Sequence, residues 1–224
     1  MELDFTIIIE NWRLLLSGFG NTLRLALVAI VLSFGLGVVA GALRLARHPL
    51  LHYPAVLYIE FIRGVPLIMI IFWFYFVSPI IVGRPLDNFT SALIAFIVFE
   101  GAYLAEIVRA GIQSVPVGQI DAANSTGMNH VQTMRYVILP QAIRNMIPAL
   151  VTRFIILFMD TSLAYIIGYR ELTRAAKIIA EREFRVFEVY TFIAVVYFIC
   201  TYSISLVSRR LEARSPVSRG IPTE

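Results

Sequence analysis

Three segments of the chain, Leu25–Leu43, Val65–Gly83 and Val189–Val207, each run nineteen residues without a charged side chain. A helix needs about 20 apolar residues to cross a ~30 Å hydrocarbon layer, so each segment predicts a membrane-spanning helix. Pro54, tolerated in a first helical turn, marks the predicted start of the second span and places Glu60 and Arg63 in its first part. Phe89 to Ile112 predicts a third crossing interrupted by Glu100, and Gln141 to Ile167 a fourth interrupted by Arg153 and Asp160. The simplest reading is an all-α integral membrane domain with five crossings. Leu172 to Phe187 has a different pattern: Leu172, Ala175, Ala176, Ile179 and Ala180 recur at helical spacing opposite Arg174, Lys177 and Glu181. That predicts an amphipathic helix at the outer surface.

No repeat or long linker divides the 224 residues, so one membrane domain accounts for 1–224, with a core over about 19–210, a polar loop over 112–140 and a tail over 211–224. Within the tail, Ser215 to Glu224 holds two Pro and one Gly and reads as frayed. Met1 to Gly20 carries three acids and one Arg, unlike a cleaved signal peptide, and is expected to be a short amphipathic lead to a retained helix.

Composition agrees with a lipid solvent: 58% of residues are hydrophobic, 15% are charged, and the mean hydropathy is +0.78. The net charge of +4 is scattered along the chain, which argues against nucleic acid and for membrane topology. Cys200 is the single cysteine, and His48, His52 and His130 lack metal-ligand spacing, so neither an internal disulfide nor a metal site is expected. The one lysine, Lys177, sits in Ala-Ala-Lys-Ile, so no Gly-x-x-x-x-Gly-Lys phosphate loop can be written. If ATP drives this protein, another polypeptide binds the nucleotide and its Mg. Five crossings put the termini on opposite sides, yet Lys and Arg divide nine to eight between the two faces and do not decide the orientation.

Ionisable groups inside a span cost about 2.5–3.5 kcal/mol each on insertion scales and are functional candidates by default. Glu60 and Arg63 are three apart and can pair on one helix face, with substrate contact by Arg63 the equal alternative. Glu106 and Arg109 share that spacing near the inner boundary, where interfacial bonding is expected. Glu100 faces a cavity or holds helix packing. Arg153 and Asp160 are seven apart, which puts them on nearly one face about 10 Å apart along the axis. That face offers a cation for a carboxylate and an anion for an ammonium, as an amino acid zwitterion requires, and Thr161 and Ser162 add hydroxyls. The competing reading has Arg153 bonded across helices to Glu100.

The polar island runs Asp121-Ala122-Ala123, then Gly127, then Val137-Ile138-Leu139-Pro140. Ala122 and Ala123 are small and helix-favouring, Ile120, Ala123 and Met128 predict one face for a partner, and Gly127 permits a turn at positive φ. Pro116 and Pro140 restrict the chain at both ends. The island resembles the Glu-Ala-Ala signature of bacterial ABC-importer permeases, with Asp121 and Val137 replacing the usual Glu and Ile. Glu60-Phe61-Ile62-Arg63-Gly64-Val65-Pro66, Phe99 to Ile112 and Asp160-Thr161-Ser162-Leu163 are similar to segments of the polar amino acid branch.

The resemblance implies the transmembrane domain of a type I ABC importer with a cytoplasmic coupling helix. Asp121, Ala122, Ala123 and Gly127 would couple to ATPase subunits, and the segment around Asp160, Thr161 and Ser162 would line the substrate path. It implies no catalysis or cofactor in this chain. Its partners would be ATPases that hold ATP and Mg, a second identical or related permease, an amino-acid-binding protein and membrane lipid. The place implied is a bacterial inner membrane, multi-pass, with the N-terminus outside and the C-terminus cytoplasmic. Arg153 would complement a negative side chain, and the wording around Phe99 and Asp160 looks closest to glutamate/aspartate permeases, so acidic amino acids are the expected cargo. Import of basic or neutral amino acids, or a stand-alone ion-coupled carrier, are the alternatives. An intramembrane hydrolase lacks a histidine inside any span to serve as its base.

Overall fold

The computed structural model describes residues 3–212; Ser215–Glu224, expected to be frayed, lies outside them. A short helix α1 (Thr6–Glu10) leads into α2 (Trp12–Arg44), then α3 (Pro49–Arg63), α4 (Leu67–Val82) and α5 (Asn88–Gln113). Helices α6 (Val117–Ser125) and α7 (His130–Thr133) precede a π turn (Met134–Ile138) that runs straight into α8 (Leu139–Asp160). A 3-10 segment (Thr161–Ile167), α9 (Leu172–Glu183) and α10 (Val186–Glu212) follow. Four continuous stretches are long and apolar enough to cross a membrane, and the α3–α4 pair makes a fifth if it counts as one broken span.

The broken pair corrects the expectation of one helix running from Pro54 through Gly83. Pro54 lies inside α3, and α3 and α4 are bent 106° apart around Gly64-Val65-Pro66. Pro66 has no N–H and disfavours helical backbone at Val65, so the chain turns there and α4 restarts with Pro66 extended at φ −59°, ψ 139°. Glu60 and Arg63 therefore belong to a separate helix. The first span also differs from expectation: α2 begins at Trp12 rather than Leu25, and its 33 residues make a rod about 50 Å long. Pro140 does not break its helix, because it occupies the first turn of α8, where its missing N–H costs little.

Helices α2 and α5 form the most extensive pair, and small residues make it possible. A methyl group at Gly37 would sit 2.5 Å from Leu104 Cβ, and one at Gly41 would sit 2.7 Å from the Ala105 carbonyl oxygen. Lipid tails give apolar helices no hydrophobic reason to associate, so this close backbone approach supplies dispersion contact instead. Around it Leu25, Ile70, Ala95, Phe96 and Leu157 build the main core. A second core lies under α9, whose predicted apolar face is buried as Leu172, Ala175, Ala176, Ile179 and Ala180. That face packs on α2 and α10 rather than on lipid. Leu27, Val31, Ile80, Ile81 and Phe198 remain exposed, as lipid-facing side chains must.

Candidate functional site

Helix α5 carries the two carboxylates around which the interior charges gather. Glu100 is fully buried among the alanines and aromatics of the main core. Arg153 of α8 chelates it, with Nε 2.5 Å from Oε2 and Nη2 2.7 Å from Oε1. The same guanidinium lies 3.9 Å from the centre of the Tyr103 ring. The cross-helix reading of Arg153 is thus the one the fold adopts, and its positive charge is already balanced. A bidentate pair shielded by an aromatic face repays the desolvation that an isolated ion at this depth would not.

Nearly two turns further along α5, Glu106 is the hub of a second cluster. Arg44 of α2 approaches it at 2.9 Å, Arg63 of α3 at 3.4 Å, and Arg109 bonds it from its own helix while also reaching Gln113. Arg44 in addition holds Glu60 at 2.7 Å. The expected Glu60–Arg63 pair is not formed, because the bend after Gly64 turns α3 toward α2 and α5 and gives each residue a closer partner. Glu106 and Arg109, expected to make interfacial or interdomain bonds, pair with each other on α5. Arg63 also faces the Tyr103 ring at 5.3 Å, so one aromatic side chain separates the guanidiniums of the two clusters.

A cavity of about 400 Å³ opens between these clusters, lined by Arg63, Tyr103 and Glu106 on one side and by Asn145, Met146 and Arg153 on the other. Sequence reading singled out neither Tyr103 nor Asn145. Tyr103 lies inside the quoted Phe99–Ile112 segment, and only the packing of α5 on α8 shows that it faces two arginines. Asp160 lies two turns beyond Arg153 on the extension of the same face. It is half-buried and has no hydrogen-bond or ion-pair partner among the described residues. The helix changes from α to 3-10 immediately after it and ends at Gly168, φ 83°. The segment closes the span His130–Ile167, a position where 3-10 turns are common. Thr161 is fully buried and donates its hydroxyl to the Phe158 carbonyl at 2.6 Å, so it braces this turn, while Ser162 is half-buried.

At the other end of α8 the island forms a small projecting helix. Asp121, Ala122, Gly127 and Met128 are exposed, and Gly127 takes the left-handed conformation, φ 81°, as expected. The expected partner face of Ile120, Ala123 and Met128 is corrected: Ala123 is buried against its own chain, and Ile120 packs with Val115 and Ile138. The face left for a partner carries Asp121, Ala122 and Met128. Behind it the Leu139 amide reaches back to the Met134 carbonyl, and the Gln141 side chain donates to Val137 O at 2.9 Å, closing the π turn before Pro140.

Outside the spans, two carboxylates cap helices with opposite results. Hydrogen bonds from Thr90, side chain first, hold Asp87 below the usual carboxylate range. Glu171 accepts from the amides of Thr173 and Arg174 at 2.7 and 2.6 Å, yet burial outweighs them and pushes it up to about 7.

A multi-pass bundle with a broken second span, a projecting helix and a charged cavity between α5 and α8 has the form of a membrane transport subunit. Residues 33–215 match the binding-protein-dependent transport system inner membrane component family, and the chain belongs to it. A probable glutamine ABC transporter permease of Bacillus subtilis (strain 168) is 42% identical over 209 residues, 92% of this chain and 95% of that protein. A glutamate/aspartate import permease of Escherichia coli O6:H1 is 37% identical over 221 residues, 96% and 99% of the two. Among solved structures, an amino acid ABC transporter determined with histidines has a TM-score of 0.91 at 37% identity, covering 96% of this chain and 100% of that one. The inward-facing MetNI methionine ABC transporter, at 22% identity and a TM-score of 0.75 over 90% and 96% of the chains, shares the fold. The architecture is that of type I ABC importer transmembrane domains, as the island implied. Membership makes this an inner-membrane permease subunit of a system that includes a binding protein.

Proposed function

We propose that this permease moves a zwitterionic polar amino acid from a binding protein, docked on the α9 side, to the cytoplasm on the α6 side. Transport proceeds by alternating access within an ABC importer, with the N-terminus outside. The observation that carries the reading is the half-buried carboxylate of Asp160, without a hydrogen-bond or ion-pair partner among the described residues and two turns beyond Arg153, where the cavity ends. A buried anion without a partner is costly unless a cation visits it, and an α-ammonium group is such a cation. Arg63, whose hold on Glu106 is the longest in its cluster at 3.4 Å, stands beyond Arg153 and Tyr103 and would meet the cargo carboxylate in the cavity after the ammonium has left Asp160. Ser162 adds a hydroxyl beside Asp160, and Thr161 serves the turn rather than the cargo.

For the cargo side chain, the Arg153–Glu100 chelate weakens the original argument for an acid, since that guanidinium has no charge to spare. We therefore assign an uncharged polar side chain, glutamine first, in keeping with the 42% identical relative. Glutamate or aspartate is the second reading, favoured by the surplus at the Glu106 cluster, where Arg44, Arg63 and Arg109 face Glu60 and Glu106. Asp121, Ala122 and Gly127 form the surface on which an ATPase subunit docks, and buried Ala123 sets the angle of that surface. The chain itself hydrolyses nothing. ATP and Mg belong to the ATPase, and a second permease, identical or related, completes the path.

The test is uptake by the reconstituted transporter with unlabelled glutamine, glutamate and arginine as competitors. Glutamine should compete best, and Asp160→Asn should raise KM about tenfold or more, the scale of one charge-assisted hydrogen bond. An unchanged KM in Asp160→Asn would remove the cargo site from this face. Ala122→Asp should abolish co-purification with the ATPase while the permease remains folded; retained binding would move the docking surface elsewhere.

A further inference from the structure

The hydroxyl of Tyr197, on α10, sits at a junction that the proposed cargo site does not use. It donates to Glu171 Oε2 at 3.4 Å and lies 3.4 Å from Thr173 Oγ1. Glu171 is fully buried. Both contacts are longer than the ~2.7–2.8 Å of a strong O–H···O bond, so the hydroxyl, carried by α10, can shift between oxygens at the start of α9. Its choice of partner depends on how those elements sit relative to one another. The Tyr197 ring packs on Phe158 at 5.5 Å, and the Phe158 carbonyl accepts from Thr161, while the Tyr197 hydroxyl bonds Glu171, so this one side chain touches both the α8 turn around Asp160 and the start of α9. Glu171 is itself the cap of α9, and the next amide, Leu172 N, donates to Thr22 at 3.1 Å.

We propose that Tyr197, backed by Glu171, is a positioning residue that ties the first turn of α9 to the Phe158–Thr161 turn and so sets where the Asp160 carboxylate stands. This rests on Asp160 being the cargo contact. It gives the outer face a route to the site: a binding protein that shifts α9 changes the oxygens around Tyr197, and the turn carrying Asp160 follows. The ring and the hydroxyl have separate duties, packing and registration, so removing only the hydroxyl isolates the second.

The experiment uses the intact transporter with Tyr197→Phe. KM for amino acid uptake should rise about fivefold, the equivalent of one ordinary buried hydrogen bond, with the effect in KM rather than kcat. In a Cys200→Ser background, Ser162→Cys should react faster with a maleimide once Tyr197→Phe is added. Glu171→Ala should act in the same direction and Glu171→Gln less, because the amide oxygen still accepts. Combining Tyr197→Phe with Glu171→Ala should add little to either alone. A lowered melting temperature with KM and maleimide rate unchanged, or fully additive effects, would overturn the proposal. If Asp160→Asn leaves KM unchanged, the cargo reading fails, and the maleimide rate still reports whether Tyr197 sets the turn.

Discussion

Two carboxylates six positions apart on α5 show how surroundings decide what a charge can do. Glu100 is fully buried and answers to one arginine through two bonds. Glu106 keeps 16% of its side chain exposed and answers to three arginines from three helices. The first pair is all or nothing, since either member alone would be an uncompensated ion within the bundle. In the second, any one arginine can leave while two remain to balance the carboxylate. Fixed architecture therefore sits at the first, and exchange of partners during a transport cycle fits the second. Glu171 is a third case, a buried carboxylate with hydrogen bonds but no paired cation among the described residues.

The sharpest way to break this contrast is Arg153→Ala, which should destabilise the protein by about 3–5 kcal/mol. Thermal denaturation of the detergent-solubilised complex would show it, and the double change Glu100→Leu with Arg153→Met should recover most of the loss. A mild single variant would mean that Glu100 is not held as described. Glu171 comes next. Its folded-state value near 7 lies above the ordinary 4.5, so the folded state binds the proton more tightly. The associated stability is fully present below about pH 4.5 and is lost as pH rises through about 7, an amount of roughly 3 kcal/mol. Melting temperature measured between pH 5 and 8 should fall for the parent and flatten in Glu171→Gln. Glu106→Gln should cost about 1–3 kcal/mol, as three guanidiniums lose their common anion, and added salt should reduce the cost. Arg63→Gln should change stability by no more than about 1 kcal/mol and register instead as a raised uptake KM.

The island and α9 were legible in the sequence because each depends on local order. The spacing from Asp121 to Pro140 and the period of Leu172 to Ala180 survive translation into three dimensions unaltered. The chelation of Arg153 by Glu100 was legible only as one of two options. The partners are 53 positions apart, and their meeting depends on how α5 and α8 are rotated against each other. The bend at Gly64–Pro66 had a signal in its proline, but the uncharged run from Val65 to Gly83 spoke for a straight span. Apolar content alone does not report direction. Ala123 was misassigned to a partner because a small residue on a polar helix suits a foreign surface and its own chain equally well. Only its burial in the folded chain decides between them.

The π turn at Met134–Ile138 has a consequence for phase. It holds one residue more than an α-helical turn would need, closed by the Leu139 amide on the Met134 carbonyl. An i→i+5 turn is wider than an α turn and advances less per residue, so it takes up the surplus residue as a bulge and hands the helix on in nearly unchanged phase. The face of α8 that carries Arg153 and Asp160 is therefore kept in register with the chain before it, like a spliced rope whose strands still line up. Deleting a single residue between 134 and 138 would turn the bulge into ordinary helix and leave both faces where they are, removing only the local swelling ahead of Pro140.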